Sequence, residues 1–426
     1  MATIAILGTM DTKGEEHAFV AEQIRQRGHR VLIIDVGALE TPKLPPDISR
    51  LEVAAAAGVD FAALVAKRDR GEAVSAMSRG APVVLAKLVA EKRIDGVISL
   101  GGGGGTAIGT AAMRALPVGF PKVMVSTLAS GNTAQYVGVK DIVMIPSIVD
   151  VAGLNRILRQ ILTNAAGAIC GMAESSLAAR PASGSTEPST EQAQRRLDSE
   201  RATDRPVIVA SQFGNTTACV DYARKLLEQE GYEVLVFHAT GVGGRTMESL
   251  IESGMVAGVL DITTTEWADE LVGGFLGAGP TRLEAAARHG VPAIVTPGCL
   301  DMVNFYGPDS VPAQFQGRRF YQHNPQVTLM RTTPEECARL GLILARKLNL
   351  SHGPVTVLLP QRALSIISAP GQPFHDPAAD QALFGALKAN LRRDIEVIEM
   401  DCAINDPPFA EACARALLKN MSLFRG

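Results

Sequence analysis

Five consecutive glycines, Gly101, Gly102, Gly103, Gly104 and Gly105, followed by Thr106, have the clearest chemical capacity in this sequence. They stand between an aliphatic run, GVISL, and a helical pattern. Ordering each glycine costs roughly 0.5–1 kcal/mol more than ordering alanine, so a plain turn has no use for five. Glycines supply a concave backbone whose N–H groups reach an anion at the start of a helix, with the Thr106 hydroxyl beside it. The run lacks the G-K-[ST] ending of a Walker loop. Nor does it close the first strand, as a dinucleotide fingerprint would. Phosphate held by backbone is the expectation.

Two more loops have matching chemistry. The first, Gly8-Thr-Met-Asp-Thr-Lys-Gly, offers Gly8, Thr9, Asp11, Thr12 and Lys13 to a phosphate, although Asp11 or Thr12 serves equally well as an ordinary helix cap. The second, Ser126 to Thr133, offers Ser130, Gly131 and Asn132 as a rim for phosphate or ribose. Asp35, at the end of the second aliphatic run, either accepts from ribose hydroxyls or forms a turn.

In the second half the corresponding loops carry ionisable groups. Gly241, Gly243 and Gly244 precede Arg245, a bidentate anion clamp or simply a glycine-rich helix start. Asp261 to Glu270 holds four carboxylates and the only tryptophan, with Glu266 on one helical face with Asp269 or Glu270. Asp301 and Asn304 follow Pro297-Gly-Cys, and Arg318 to Asn324 gathers cations, a phenol and His323. Asp261, Arg245, Asn304 and Arg318 are expected to bind a small anionic metabolite. His323, Asp301 and Glu266 are the candidates for acid–base chemistry. Cys299 has no identifiable histidine partner, and the other cysteines read as small buried apolar residues. No metal-ligand set can be assigned.

These loops need strands and helices to hold them. TIAILG, HRVLIIDVG, GVISLG and KVMVST are short aliphatic runs separated by helical patterns, which specify parallel strands in β-α-β order. The same order recurs after residue 206. Gly28-His-Arg-Val-Leu matches Gly231-Tyr-Glu-Val-Leu, Asp95-Gly-Val-Ile matches Ala257-Gly-Val-Leu, and Gly119-Phe-Pro matches Gly290-Val-Pro. The fold class is α/β, with two Rossmann-like parallel-sheet lobes of related topology. Residues 1–174 form the first lobe and 206–426 the second. Between them 175–205, rich in Ser, Thr, Pro and charge, reads as a linker with helical character between Thr190 and Arg201.

A chain of 426 residues with 46% hydrophobic and 4% aromatic content can fill two such cores with Ala, Val, Ile and Leu. A net charge of -3 gives no electrostatic case for nucleic acid or an anionic membrane. The start lacks the basic flank of a signal peptide, and no uninterrupted apolar run is long enough for a membrane span, so a cytoplasmic location is expected.

Taken together, G-T-x-D-T-K at Gly8 to Lys13, S-L-G-G-x-x-G-T at Ser99 to Thr106 and S-T-x-A-S-G at Ser126 to Gly131 resemble the ATP-binding domain family of the tomato mosaic virus resistance protein. Phrases such as Thr263-Thr-Thr-Glu-Trp extend the likeness over nearly the whole chain. The resemblance implies a two-subdomain α/β chain, ATP with Mg2+ in the first subdomain, and a homodimer. Two function classes stand open: an enzyme acting on a small anionic metabolite, and a non-catalytic protein whose binding depends on the nucleotide.

Overall fold

The computed structural model describes residues 1–179 and 205–424, and the chain divides into two compact units, Met1–Glu187 and Pro188–Gly426. Unit 1 holds five strands, β1 (Thr3–Gly8), β2 (Arg30–Asp35), β3 (Gly96–Gly101), β4 (Lys122–Ser126) and β5 (Val143–Pro146), in one parallel sheet of order β2-β1-β3-β4-β5. Alternation along β1 explains how both faces are covered. Ile4 and Ile6 join Val20, Ile24, Leu162 and Ile169 on one face, while Ala5 and Leu7 join Met77, Leu85, Ile108 and Met113 on the other.

Unit 2 repeats this plan. Its strands β6 (Val207–Gln212), β7 (Glu233–His238), β8 (Gly258–Thr263) and β9 (Ala293–Gly298) pair in the same order as β1 to β4. They continue into β13 (Val355–Pro360) and β14 (Glu396–Met400), giving a sheet of order β7-β6-β8-β9-β13-β14. Between β9 and β13 the chain inserts a three-stranded antiparallel sheet of β10 (Met302–Phe305), β11 (Phe320–Asn324) and β12 (Val327–Arg331), ordered β10-β12-β11. The two lobes therefore share their topology, as the repeated sequence order predicts. The inserted sheet was not anticipated, because its strands are only four or five residues long.

One helix boundary differs from expectation. The helix Arg156–Ala178 runs past Ser175, because Leu158, Leu162, Ile169 and Ala173 keep one apolar face on the sheet. The proposed helical stretch from Thr190 to Arg201 lies outside the described residues. By length and composition the helix Arg70–Ala90 could cross a membrane. Its Met77, Ala81, Leu85 and Leu88 are instead buried in the core of unit 1.

Gly109 shows how closely helix and sheet approach in unit 1. A Cβ there would stand 2.7 Å from Ser99 Oγ and 3.0 Å from Met124 Sδ, contacts that force helix Gly103–Arg114 away from β3 and β4. Gly109→Ala is expected to cost about 1–3 kcal/mol of stability, read as a lower urea midpoint at unchanged slope.

Candidate functional site

In unit 1 the chain reverses sheet direction between β1 and β3, the position at which open α/β sheets bind ligands. A cleft of about 290 Å3 lies there, reached by Thr9, Thr12, Lys13, Arg70, Gly104 and Asp150 among others. Gly102 caps the helix Gly103–Arg114, so the N–H groups of Gly103, Gly104 and Gly105 have no acceptor within it. A Cβ on Gly103 would meet nothing within 4 Å, and one on Gly102 would find only Thr127 Oγ1 at 3.7 Å. No protein atom thus requires glycine at these two positions, whereas a ligand seated on the backbone would.

The other glycines and hydroxyls have internal explanations. Gly8 is small because the imidazole of His17 packs against it, with Nε2 only 1.8 Å from where a Cβ would stand. Thr106 is fully buried, and its hydroxyl bonds Ser126 Oγ at 2.7 Å, tying the start of helix Gly103–Arg114 to the end of β4. That bond occupies the hydroxyl expected beside a phosphate. Asp35, also fully buried, accepts from the N–H groups of Met10 and Gly37 at 3.0 and 2.8 Å. It fastens the first loop to the second and is closed to a ribose. Burial also raises its pKa, against the pull of these amides. Asp11 has a similar duty, accepting from Leu39 N at 2.8 Å and Thr12 N at 2.7 Å. Asn132 caps a short helix through Ala134 N, Gly131 turns back on Leu128, and Ser130 lines a second cleft of about 360 Å3.

Thr9 and Thr12, whose hydroxyls pair at 2.9 Å, remain on the wall of the first cleft with Lys13, whose ammonium donates to Val151 O. Two residues join them that sequence reasoning missed. Arg70 opens the helix Arg70–Ala90, and its guanidinium Nη2 lies 4.0 Å from the Cβ position of Gly104. A cation at a helix N-terminus sits at the unfavourable end of the dipole. Among the described residues no carboxylate pairs with it. Asp150 is exposed and lines both clefts. It follows Ile148, a β-branched residue at φ 62, around which Val149 N donates to Ser147 O at 2.7 Å in a left-handed γ-turn. Such strain is common where a loop must present a group to a ligand.

Unit 2 supplies a carboxylate to the glycine-rich helix start that follows β7. Glu266 accepts from Gly241 N at 2.7 Å, Gly244 N at 3.0 Å and Arg282 Nε at 2.7 Å. Glycine at 244 leaves room for that carboxylate, since a Cβ would lie 2.2 Å from its Oε2. Arg282, 1% exposed, also takes Asp261 as a bidentate partner at 2.6 and 2.7 Å and Glu248 at 3.2 Å. Asn304 gives both its N–H and its Nδ2 to Asp269, each at 2.7 Å. Arg318 is held by Glu336 at 3.0 and 2.7 Å, and Arg245 donates to Gly277 O at 3.2 Å. Asp301 is fully buried and accepts from Ser365 Oγ at 2.7 Å, and burial raises its pKa. Cys299 is fully buried too, and its thiol is pushed well above the ordinary range.

The three residues assigned acid–base chemistry are therefore not brought together. Glu266 belongs to the Arg282 cluster, Asp301 faces Ser365, and exposed His323 lies on β11. Asp261, Asn304 and Arg318, expected to touch substrate, are held by the protein itself. Among the described residues no three His, Cys, Asp or Glu side chains are grouped to hold a metal ion.

Two tests follow from these buried groups. Arg282→Met leaves three carboxylates without their cation and is expected to cost at least about 3–5 kcal/mol, or to prevent unit 2 from folding. The pH response should differ between units. Burial holds the Asp269 carboxyl at about 7, so its contribution to unit 2 is present below about 4 and is lost as pH rises through 7. Burial holds the His17 imidazole at about 4, so its contribution to unit 1 is present above about 6.5 and is lost as pH falls through 4. Hydrogen exchange resolved by peptide should show unit 2 gaining protection on mild acidification while unit 1 loses it.

Known proteins resemble the chain along its whole length. Residues 2–178 match the N-terminal domain of the Uncharacterised protein family (UPF0261), and residues 205–421 match its C-terminal domain. A UPF0261 protein of Clostridium tetani is 47% identical over 98% of each chain. The ToMV resistance protein Tm-1(GCR237) of Solanum lycopersicum is 36% identical over 97% of this chain, which spans 55% of that protein. A solved UDP-N-acetylglucosamine 2-epimerase from Rickettsia bellii is 9% identical with a TM-score of 0.22, covering 69% of this chain and 78% of that one, a likeness too slight to bear on function. With both units matched and relatives near half identical end to end, the chain belongs to the uncharacterised family UPF0261.

Proposed function

We propose that unit 1 binds a nucleotide through its phosphates, ATP with Mg2+ being the form implied by the sequence resemblance. The observation that carries this reading is the open helix start at Gly103–Gly105, where three N–H groups have no acceptor in the helix, Gly102, Gly104 and Gly105 line a cleft, and no close protein neighbour requires glycine at 102 or 103. Arg70 and Lys13 add positive charge, and Thr9 and Thr12 add hydroxyls. Val36, Ala38 and Val74 give the same cleft an apolar side suited to a base. Mg2+ commonly takes one or two carboxylates and completes its shell with phosphate oxygens and water, which fits a cleft whose free carboxylate is Asp150. Bound there, the ion would neutralise phosphate charge.

Binding is favoured over turnover, because the groups expected to do acid–base work in unit 2 are buried in ion pairs and hydrogen bonds. The homodimer implied by the resemblance belongs to the same reading.

Mg-ATP should raise the melting temperature of the intact chain, and absence of any shift at about 5 mM nucleotide would overturn the proposal. Gly103→Val should leave the melting temperature of the free protein within about 2 °C while abolishing that protection. Arg70→Ala should weaken binding about tenfold, the usual worth of one charge-assisted contact. Asp150→Asn should keep metal-free binding but lose the gain that Mg2+ gives.

A further inference from the structure

The two units differ over the carboxyl ends of β6 and β7. In unit 1 the corresponding loop is part of the phosphate cleft. In unit 2 the inserted sheet β10-β12-β11 brings a wall to this place and encloses a cleft of about 370 Å3. Phe213, Phe275, Leu276, Val327 and Leu329 give it an apolar lining. Two imidazoles face it, His238 from the last position of β7 and His323 from β11. Neither ring hydrogen-bonds to another described residue, although the Phe213 and His238 rings meet at 5.3 Å. No lining residue is acidic, and none is Lys or Arg.

The backbone of β11 is altered at the histidine. Gln322 pairs with Thr328 and Asn324 with Val327, so His323 is an extra residue in a bulge. A bulge re-aims one side chain at a cost in ladder hydrogen bonds, and bulges recur beside binding sites. Asn215 supplies an independent sign. It is 7% exposed and lines the cleft, yet its side-chain amide finds only the sulphur of Met302 at 3.8 Å. A buried amide donor with so weak a partner is costly unless something else accepts from it.

We infer that this cleft is a second ligand site, separate from the nucleotide cleft, and that it takes a small aromatic carboxylate. The apolar walls accept a flat ring. Two imidazoles and an amide meet the carboxylate with donors, and the absence of acidic lining leaves nothing to repel it. Ring N–H and amide donors suit a single carboxylate better than a phosphate, which would call for the Arg or Lys that this cleft lacks. The inference does not rest on the nucleotide reading.

The test uses the full chain with benzoate and indole-3-acetate as probes and benzyl alcohol as the uncharged counterpart. NMR of the imidazole Cε1–H signals and thermal melting would be followed without and with Mg-ATP. Either carboxylate should raise the melting temperature and move the His238 and His323 signals, while benzyl alcohol at equal concentration does neither. His238→Asn and His323→Asn, both at exposed positions, should keep the free protein's melting temperature and weaken carboxylate binding at least about tenfold. Three results would overturn the proposal: no response to either carboxylate at about 10 mM, equal binding of benzyl alcohol, or unchanged affinity in both variants. Loss of the Mg-ATP response alone would sink the nucleotide reading and leave this one standing.

Discussion

Every amide at a strand end or in the first turn of a helix needs an acceptor, and how each one is supplied decides what the carboxyl edges of these two sheets can do. Asp35 and Asp11 serve the amides of the first two loops of unit 1. Glu266, Asp269 and Glu248 serve those of unit 2. Where such a carboxylate is present the loop is closed and rigid. At Gly103–Gly105 no side chain answers, and the edge stays open.

Two glycine-rich helix starts thus have opposite electrostatics, although they follow non-equivalent strands, β7 in unit 2 and β3 in unit 1. In unit 2 the glycine-rich helix start around Gly241–Gly244 already holds an anion, the carboxylate of Glu266, and Arg282 neutralises it from behind. In unit 1 the helix start after β3 has only Arg70 near it, a cation with no partner of its own among the described residues. A glycine-rich turn is therefore no guide to ligand binding until one knows whether the protein has filled it.

This explains what the sequence discloses and what it conceals. Strands and their order are legible because β1, β3, β6 and β8 are continuous aliphatic runs buried on both faces, a pattern few other elements share. The glycine loop is legible for the same reason of local density. Partnership is not local. Glu266 reads as a candidate for acid–base chemistry, and the guanidinium that holds it in an ion pair lies sixteen positions away at Arg282. Gly8 reads as an approach for phosphate, while its real neighbour is the ring of His17. Arg70 and Asp150 are single residues with no motif around them, and only folding brings them to a cleft.

The Arg282 cluster also bears on how the chain is made. Glu248, Asp261 and Glu266 all precede the arginine, by 34, 21 and 16 positions. During synthesis the three carboxylates leave the ribosome first, and their mutual repulsion opposes burial until the guanidinium follows. A chain ending before Arg282 therefore holds three carboxylates with no cation to neutralise them, and their burial is disfavoured until that one arginine is in place.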